Sequence, residues 1–101
     1  MMSIAERMKD FVEGVVKLII DEPTKVEIMV STTTKSVVVQ IKVDKSDIGK
    51  VIGRKARTIS ALKVLTTIVK NSQFIGDTKE VFVEIIEDEN SGFKRSFDTS
   101  K

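Results

Sequence analysis

The chain has 101 residues, of which 41% are hydrophobic, and a formal net charge of +2, so it can form one domain with a modest core but has little length for a second. The absence of cysteine excludes disulfides and thiolate metal sites, and the absence of histidine removes the commonest general base, which disfavours catalysis. We expect neither a signal peptide nor a membrane span, because no apolar run is long enough. The composition favours a cytoplasmic protein.

The charge is unevenly distributed along the chain. Residues 42–70 hold eight basic residues against two acidic ones, a local charge of +6, whereas the rest of the chain carries −4. This concentration of positive charge fits a polyanionic partner. Within it, Arg54 and Lys55 are the strongest candidates for phosphate contacts, and an ordinary solvated face is expected for the lysines Lys42, Lys45, Lys63 and Lys70.

A first helix is predicted over residues 4–20. Ser3 and Glu6 have the spacing of a capping box, and apolar residues then recur at intervals of three and four, as one buried helix face requires. Pro23 ends this segment, because proline disfavours the helical conformation of the residue before it.

Beyond Pro23 the apolar period changes to two, which predicts strands. Residues 26–30 and 37–43 form a hairpin around a polar turn, and residues 81–85 form a third strand. Between them lie a short helix up to Gly53 and a longer helix from about Arg57 to Lys70. The predicted fold is therefore α+β, in the order α-β-β-α-α-β, with helices packed on one face of a three-stranded sheet. The domain spans residues 1–87, and residues 88–101 show no period and are expected to form a disordered tail.

The break between the two helices has the character of a phosphate-binding turn. The first turn of a helix lacks internal partners for its amide groups and carries the positive end of the helix dipole. Gly53 permits close approach of a sugar-phosphate backbone, and Arg54 and Lys55 add positive charge. The apolar residues before the turn, Ile48, Val51 and Ile52, are candidates for the floor of a groove that holds unstacked bases.

The run IGKVIGRKARTI, residues 48–59, resembles the I-G-x-x-I-G-x-x-G-x-x-I core of KH domains, which bind single-stranded nucleic acid through a GxxG loop. The hairpin before the two helices is similar to the type II KH arrangement, and the small size resembles the bacterial KhpA family over residues 1–87. The resemblance implies a single-stranded RNA binder or RNA chaperone that forms homodimers and pairs with a larger protein, KhpB, also called Jag or EloR. No cofactor, metal, small-molecule substrate or membrane partner is expected.

The resemblance places the phosphate clamp at Gly53, Arg54, Lys55 and Ala56, here called the clamp loop, with Gly49, Lys50, Ile52 and Arg57 beside it. Ala56 departs from the family pattern, which has a second glycine at this position. In a right-handed helical conformation alanine is favoured over glycine by about 0.5–1 kcal/mol, whereas in a left-handed conformation it costs roughly 1–2 kcal/mol. We expect the right-handed case, with RNA binding weakened but retained.

The helix that starts at Arg57 carries more apolar surface than a single buried stripe needs. Either a wide core contact or a self-association face explains this surface. The family resemblance implies a homodimer, for which the interface candidates are Ala61, Val64, Leu65 and Ile68. A second functional hypothesis follows: Ala56 blunts the clamp, and the chain serves mainly as a protein-interaction module through this helix.

Overall fold

A computed structural model of the chain describes residues 2–86 and 94–96. The helices are α1 (Ile4–Ile19), α2 (Ile48–Ile52) and α3 (Arg57–Gln73), and the strands are β1 (Glu27–Thr32), β2 (Ser36–Lys42), β3 (Glu80–Ile86) and β4 (Lys94–Ser96). Short 3-10 turns occupy Pro23–Lys25, Lys45–Asp47 and Arg54–Ala56. The α+β class and the predicted order of the first six elements are confirmed.

The strands form one mixed sheet in the order β1-β2-β3-β4. β1 and β2 are an antiparallel hairpin, β2 and β3 run parallel, and β4 pairs antiparallel with β3. The prediction of three strands therefore missed a fourth, because the three residues of β4 are too few to show a period. β4 lies inside the predicted tail, and the rest of residues 88–101 falls outside the described residues.

α1 begins at the predicted capping box. The Glu6 N–H donates to Ser3 Oγ at 3.2 Å, and the Ser3 N–H donates to Glu6 Oε1 at 3.0 Å, so two free N–H groups of the first turn gain partners. Its buried face consists of Met8, Val12 and Val16. None of the helices in the described ranges combines the length and apolar character that are needed to cross a membrane.

The core lies between the helices and one face of the sheet. Alternate strand residues are buried, as the period of two predicts: Ile28, Val37, Val39, Ile41, Val81, Val83 and Ile85. α1 packs mainly on β1, and α3 packs on β3. β2 runs parallel to β3 and leads through the 3-10 turn Lys45–Asp47 into α2, so the clamp loop follows the C-terminal end of β2 in the chain.

Two of the four lysines that were expected on a solvated face are buried. Lys70 is 1% exposed, and its ammonium donates to the Asp77 backbone oxygen at 3.1 Å and to Asp77 Oδ1 at 3.0 Å. Lys63 is 9% exposed and lies 5.6 Å from the centroid of the Phe82 ring. The solvated-face prediction is wrong for both, because α3 packs on the sheet with a wide face that includes these side chains.

Candidate nucleic-acid interface

The clamp loop reverses the chain by placing three residues at positive φ. Gly53 has φ 75° and ψ 169°, Lys55 has φ 55° and ψ 32°, and Ala56 has φ 59° and ψ 26°. The prediction of a right-handed Ala56 is therefore wrong: Ala56 precedes α3 in the left-handed region, where an L-residue costs roughly 1–2 kcal/mol.

Gly53 is held where only glycine fits. A β-carbon added there would lie 2.8 Å from Thr58 Cβ and 2.9 Å from the Thr58 backbone nitrogen, and closer still to Thr58 Oγ1. Gly49, four residues earlier in α2, has nothing within 4 Å of the corresponding position. Gly53 is thus needed both for its backbone conformation and for the close approach of the first turn of α3.

Two adjacent amides of the clamp loop remain available to a ligand. The Gly53 N–H donates to the Gly49 oxygen at 2.8 Å, the Ala56 N–H donates to the Gly53 oxygen at 3.1 Å, and the Arg57 N–H donates to the Arg54 oxygen. Within the described part of the chain, the N–H groups of Arg54 and Lys55 donate to no backbone or side-chain acceptor. Both residues are exposed, so two donors and two cations occur together at the loop.

The cations near the clamp loop differ in their partners. The ammonium of Lys50 pairs with Asp21 and lies 3.4 Å from Asp47 Oδ1, and that of Lys42 lies 3.5 Å from Glu27 Oε2. Together with the burial of Lys63 and Lys70, this removes four of the eight cations of residues 42–70 from the positive surface. As far as the described residues extend, no acidic partner lies within ion-pair distance of Lys45, Arg54, Lys55 or Arg57.

The predicted groove residues have different exposures. Val51 is fully buried and belongs to the core, so it cannot line a groove. Ile48 and Ile52 are half-buried and pack against that core with part of their side chains. Gly49 is exposed on the adjoining surface of α2. Of the predicted floor, Ile48 and Ile52 therefore remain candidates.

The extra apolar surface of α3 is not explained by core packing. Val64, Leu65 and Ile68 are 52%, 46% and 53% exposed, and Ala61 is also exposed. A shallow groove beside them, between α1 and α3, is lined by Val15, Ile19, Ala61, Leu65 and the start of α3. The four predicted interface residues thus share a continuous exposed face of one helix.

Sequence reasoning missed the role of Asp47. Asp47 makes no side-chain cap for α2. Its carboxylate is fully buried and accepts hydrogen bonds from the backbone of residues 21 and 22. These partners lie 25–26 residues earlier in the chain, so no local pattern could have indicated them.

A two-layer domain in which a hairpin precedes a helix–glycine loop–helix unit with free loop amides defines a type II KH domain, a class of single-strand nucleic-acid-binding modules. Residues 9–85 match the family described as KhpA/KhpB, KH domain. The chain belongs to this family.

Three curated relatives, each named RNA-binding protein KhpA, illustrate the similarity. The protein of Chlamydia caviae is 36% identical over 81 residues, which are 80% of this chain and 99% of the relative. The protein of Clostridium perfringens is 37% identical over 79 residues, 78% of this chain and 100% of the relative. The protein of Thermotoga maritima is 33% identical over 79 residues, 78% of this chain and 99% of the relative. No solved structure matches the chain significantly.

Proposed function

We propose that the chain binds single-stranded RNA and that the clamp loop holds the sugar-phosphate backbone. The observation that carries this proposal is the pair of free amides at Arg54 and Lys55, which lie beside two exposed cations while the neighbouring amides are bonded internally. Membership in a family whose curated relatives are named RNA-binding proteins supports it.

In the proposed complex, a phosphate accepts hydrogen bonds from the Arg54 and Lys55 amides, and Gly53 supplies the positive φ and the close approach to Thr58 on which the loop shape depends. The side chains of Arg54, Lys55 and Arg57 neutralise the nearby phosphates, and bases lie over the half-buried apolar residues of α2. Contacts to the backbone carry no sequence information, so we expect weak sequence preference. With three phosphate contacts at about 0.7 each, log affinity should fall against log salt with a slope of about −2.

Charge reversal of the clamp loop tests the proposal. RNA affinity is measured by fluorescence anisotropy for the native chain and for Arg54→Asp combined with Lys55→Asp. A matched control, Lys9→Asp combined with Lys35→Asp, changes the net charge equally at exposed positions outside the clamp loop. The clamp variant should lose most of its affinity and its salt dependence, and the control should retain both. Equal binding by the native chain and the clamp variant would refute the proposal.

The second hypothesis, a protein-interaction module with a blunted clamp, depends on Ala56. The left-handed backbone at Ala56 is one that glycine adopts freely, so alanine keeps the loop shape at the expense of strain. We therefore expect Ala56→Gly to change RNA affinity little. A variant that binds RNA far more tightly than the native chain would favour the interaction module instead.

We also propose that the chain forms a homodimer through the exposed face of α3, which contains Ala61, Val64, Leu65 and Ile68. A two-fold contact would join two modest RNA sites and raise the overall affinity. The test is the mass in solution of Val64→Ser combined with Ile68→Ser. Ile75→Ser, at a residue that is 91% exposed and outside α3, serves as the control. A dimeric mass for both variants would remove this face from the interface.

The family also suggests the cellular role. We propose an RNA chaperone or small-RNA binder that pairs with a KhpB-like KH protein, since one family model covers both kinds of protein. Crosslinking in cells, followed by sequencing of the bound RNA and identification of the bound protein, tests this role. Recovery of neither RNA nor a KH-containing partner would contradict it.

A further inference from the structure

Asp47 lies at the N-terminal end of α2 with its side chain fully buried, although aspartate is seldom buried without partners. Its Oδ1 accepts from the Asp21 N–H at 3.1 Å, and its Oδ2 accepts from the Glu22 N–H at 2.9 Å. Both donors belong to the segment that leaves α1. The carboxylate therefore joins the start of α2 to the end of α1.

Lys50 strengthens the same junction from one turn further along α2. Its ammonium lies 3.4 Å from Asp47 Oδ1 and also pairs with the Asp21 carboxylate. Burial raises the pKa of the Asp47 carboxyl, but the two backbone donors and Lys50 outweigh this effect and hold the pKa below its ordinary value. Asp47 is therefore ionised at neutral pH and can accept both backbone hydrogen bonds.

α2 depends on this junction because it is short. It has five residues, of which only Val51 is buried, and a single helical turn has little stability of its own. The clamp loop follows α2 directly, so a tilt of α2 moves Gly53 and the free amides of Arg54 and Lys55 with it. A phosphate requires donors at closely defined positions, since hydrogen bonds weaken steeply with misalignment.

We propose that Asp47 is a positioning residue for RNA binding, which anchors α2 to the end of α1 and thereby holds the clamp loop in its binding orientation. This inference rests on the proposed function. A merely structural role for Asp47 would leave the RNA affinity of the folded protein unchanged, or would raise it on removal of the charge, because a carboxylate near an anion site repels the ligand. A positioning role predicts the opposite: removal of the Asp47 charge should lower the RNA affinity.

The first test is the affinity of Asp47→Asn for a fluorescein-labelled single-stranded RNA oligonucleotide. Asparagine keeps the shape but replaces one oxygen with an NH₂ group, which cannot accept from a backbone N–H. We expect affinity to fall about fivefold or more, the usual lower limit of coupling between sites. Asp44→Asn is the control, because it removes an equal charge from a nearby residue whose side chain does not contact the backbone of residues 21 and 22. Its RNA affinity should stay equal to that of the native chain or rise. Binding by Asp47→Asn at native strength or tighter would overturn the inference.

The second test is a double-mutant cycle with the clamp loop. In a background of Arg54→Asp with Lys55→Asp, Asp47→Asn should cause little further loss, because the reversed charge repels the phosphate from the loop amides that Asp47 positions. The same loss in both backgrounds would show that Asp47 does not act through the loop and would overturn the inference. The loop variant alone tests the proposed function: if it binds RNA like the native chain, that function fails, and the inference fails with it.

Folding of Asp47→Asn is controlled separately. Gly14→Ala provides a stabilised background, because Gly14 lies in the middle of α1 with nothing within 4 Å of an added β-carbon. In the RNA-free protein, the NMR amide resonances of residues 53–57 should shift in Asp47→Asn, and those of the distant hairpin turn at residues 32–36 should not. Unshifted resonances at 53–57, or failure to fold even in the stabilised background, would assign Asp47 to overall folding and overturn the inference.

Discussion

Replacement of Gly53 by alanine tests the geometry of the clamp loop most directly. The φ of 75° and ψ of 169° at Gly53 lie in a region that is essentially restricted to glycine, and an alanine there costs about 1–3 kcal/mol. The added β-carbon would also lie 2.8 Å from Thr58 Cβ and 2.9 Å from the Thr58 nitrogen. Rotation of the Thr58 side chain moves its hydroxyl but neither of these atoms, so the first turn of α3 must shift, at a further cost of about 1–3 kcal/mol.

The expected loss for Gly53→Ala is therefore about 2–6 kcal/mol in the free energy of unfolding, measured by urea denaturation with circular dichroism. Gly49→Ala is the matched control, because Gly49 lies within α2 and has open space around it, and it should gain about 0.5–1 kcal/mol. RNA affinity should fall for Gly53→Ala in protein that remains folded. Equal stability of the two variants would refute the steric account of the loop.

Three further predictions concern the clamp loop and the ion pair between Lys70 and Asp77. Lys55→Gly should raise the free energy of unfolding by about 0.5–1 kcal/mol, because it relieves the backbone strain of a left-handed lysine. RNA affinity should fall, and a lower free energy of unfolding would contradict the presence of strain. Lys70→Met should lower the free energy of unfolding by about 1.5–3 kcal/mol in urea denaturation, because the charged hydrogen bonds to Asp77 are lost. An unchanged midpoint of denaturation would contradict a stabilising role of these bonds. The Lys79 backbone N–H and the Lys70 ammonium lower the Asp77 pKa to about 2. The Asp77 carboxylate therefore stabilises the folded protein above about pH 4, and this stabilisation is lost as the pH falls towards 2. Stability of Asp77→Asn should accordingly converge with that of the native chain in this range, and a constant difference down to pH 2 would contradict the assignment.

The features that were predicted correctly depend on neighbouring residues. Ser3 and Glu6 alone indicate the capping box of α1, and the alternation of apolar residues alone indicates the strands. The glycine that ends α2 is likewise a local signal. Element order then restricted the fold to a two-layer arrangement, because each of these amphipathic elements must bury one face.

The errors depend on contacts between residues that are distant in the sequence or on the packing of whole elements. Lysine is usually a surface residue, and only the loop that brings Asp77 next to Lys70 provides a partner for the buried ammonium. Asp47 is similar, since its partners are the backbone amides at residues 21 and 22. A charged residue with a distant partner is indistinguishable in sequence from one that is solvated, so the local charge of +6 overestimated the positive surface at the clamp loop.

Ala56 shows why a motif can be recognised while its conformation is predicted wrongly. Alanine favours the right-handed helix, and that preference is worth less than about 1 kcal/mol relative to glycine. The packing of α2 and α3 on the core holds both ends of a loop of four residues, in which Lys55 and Ala56 are left-handed. Many core contacts thus outweigh the preference of one residue, and the strain remains at the loop that we propose for RNA binding. The free amides of Arg54 and Lys55 follow from this closure, since a regular helix through residues 53–57 would have bonded them to the preceding turn.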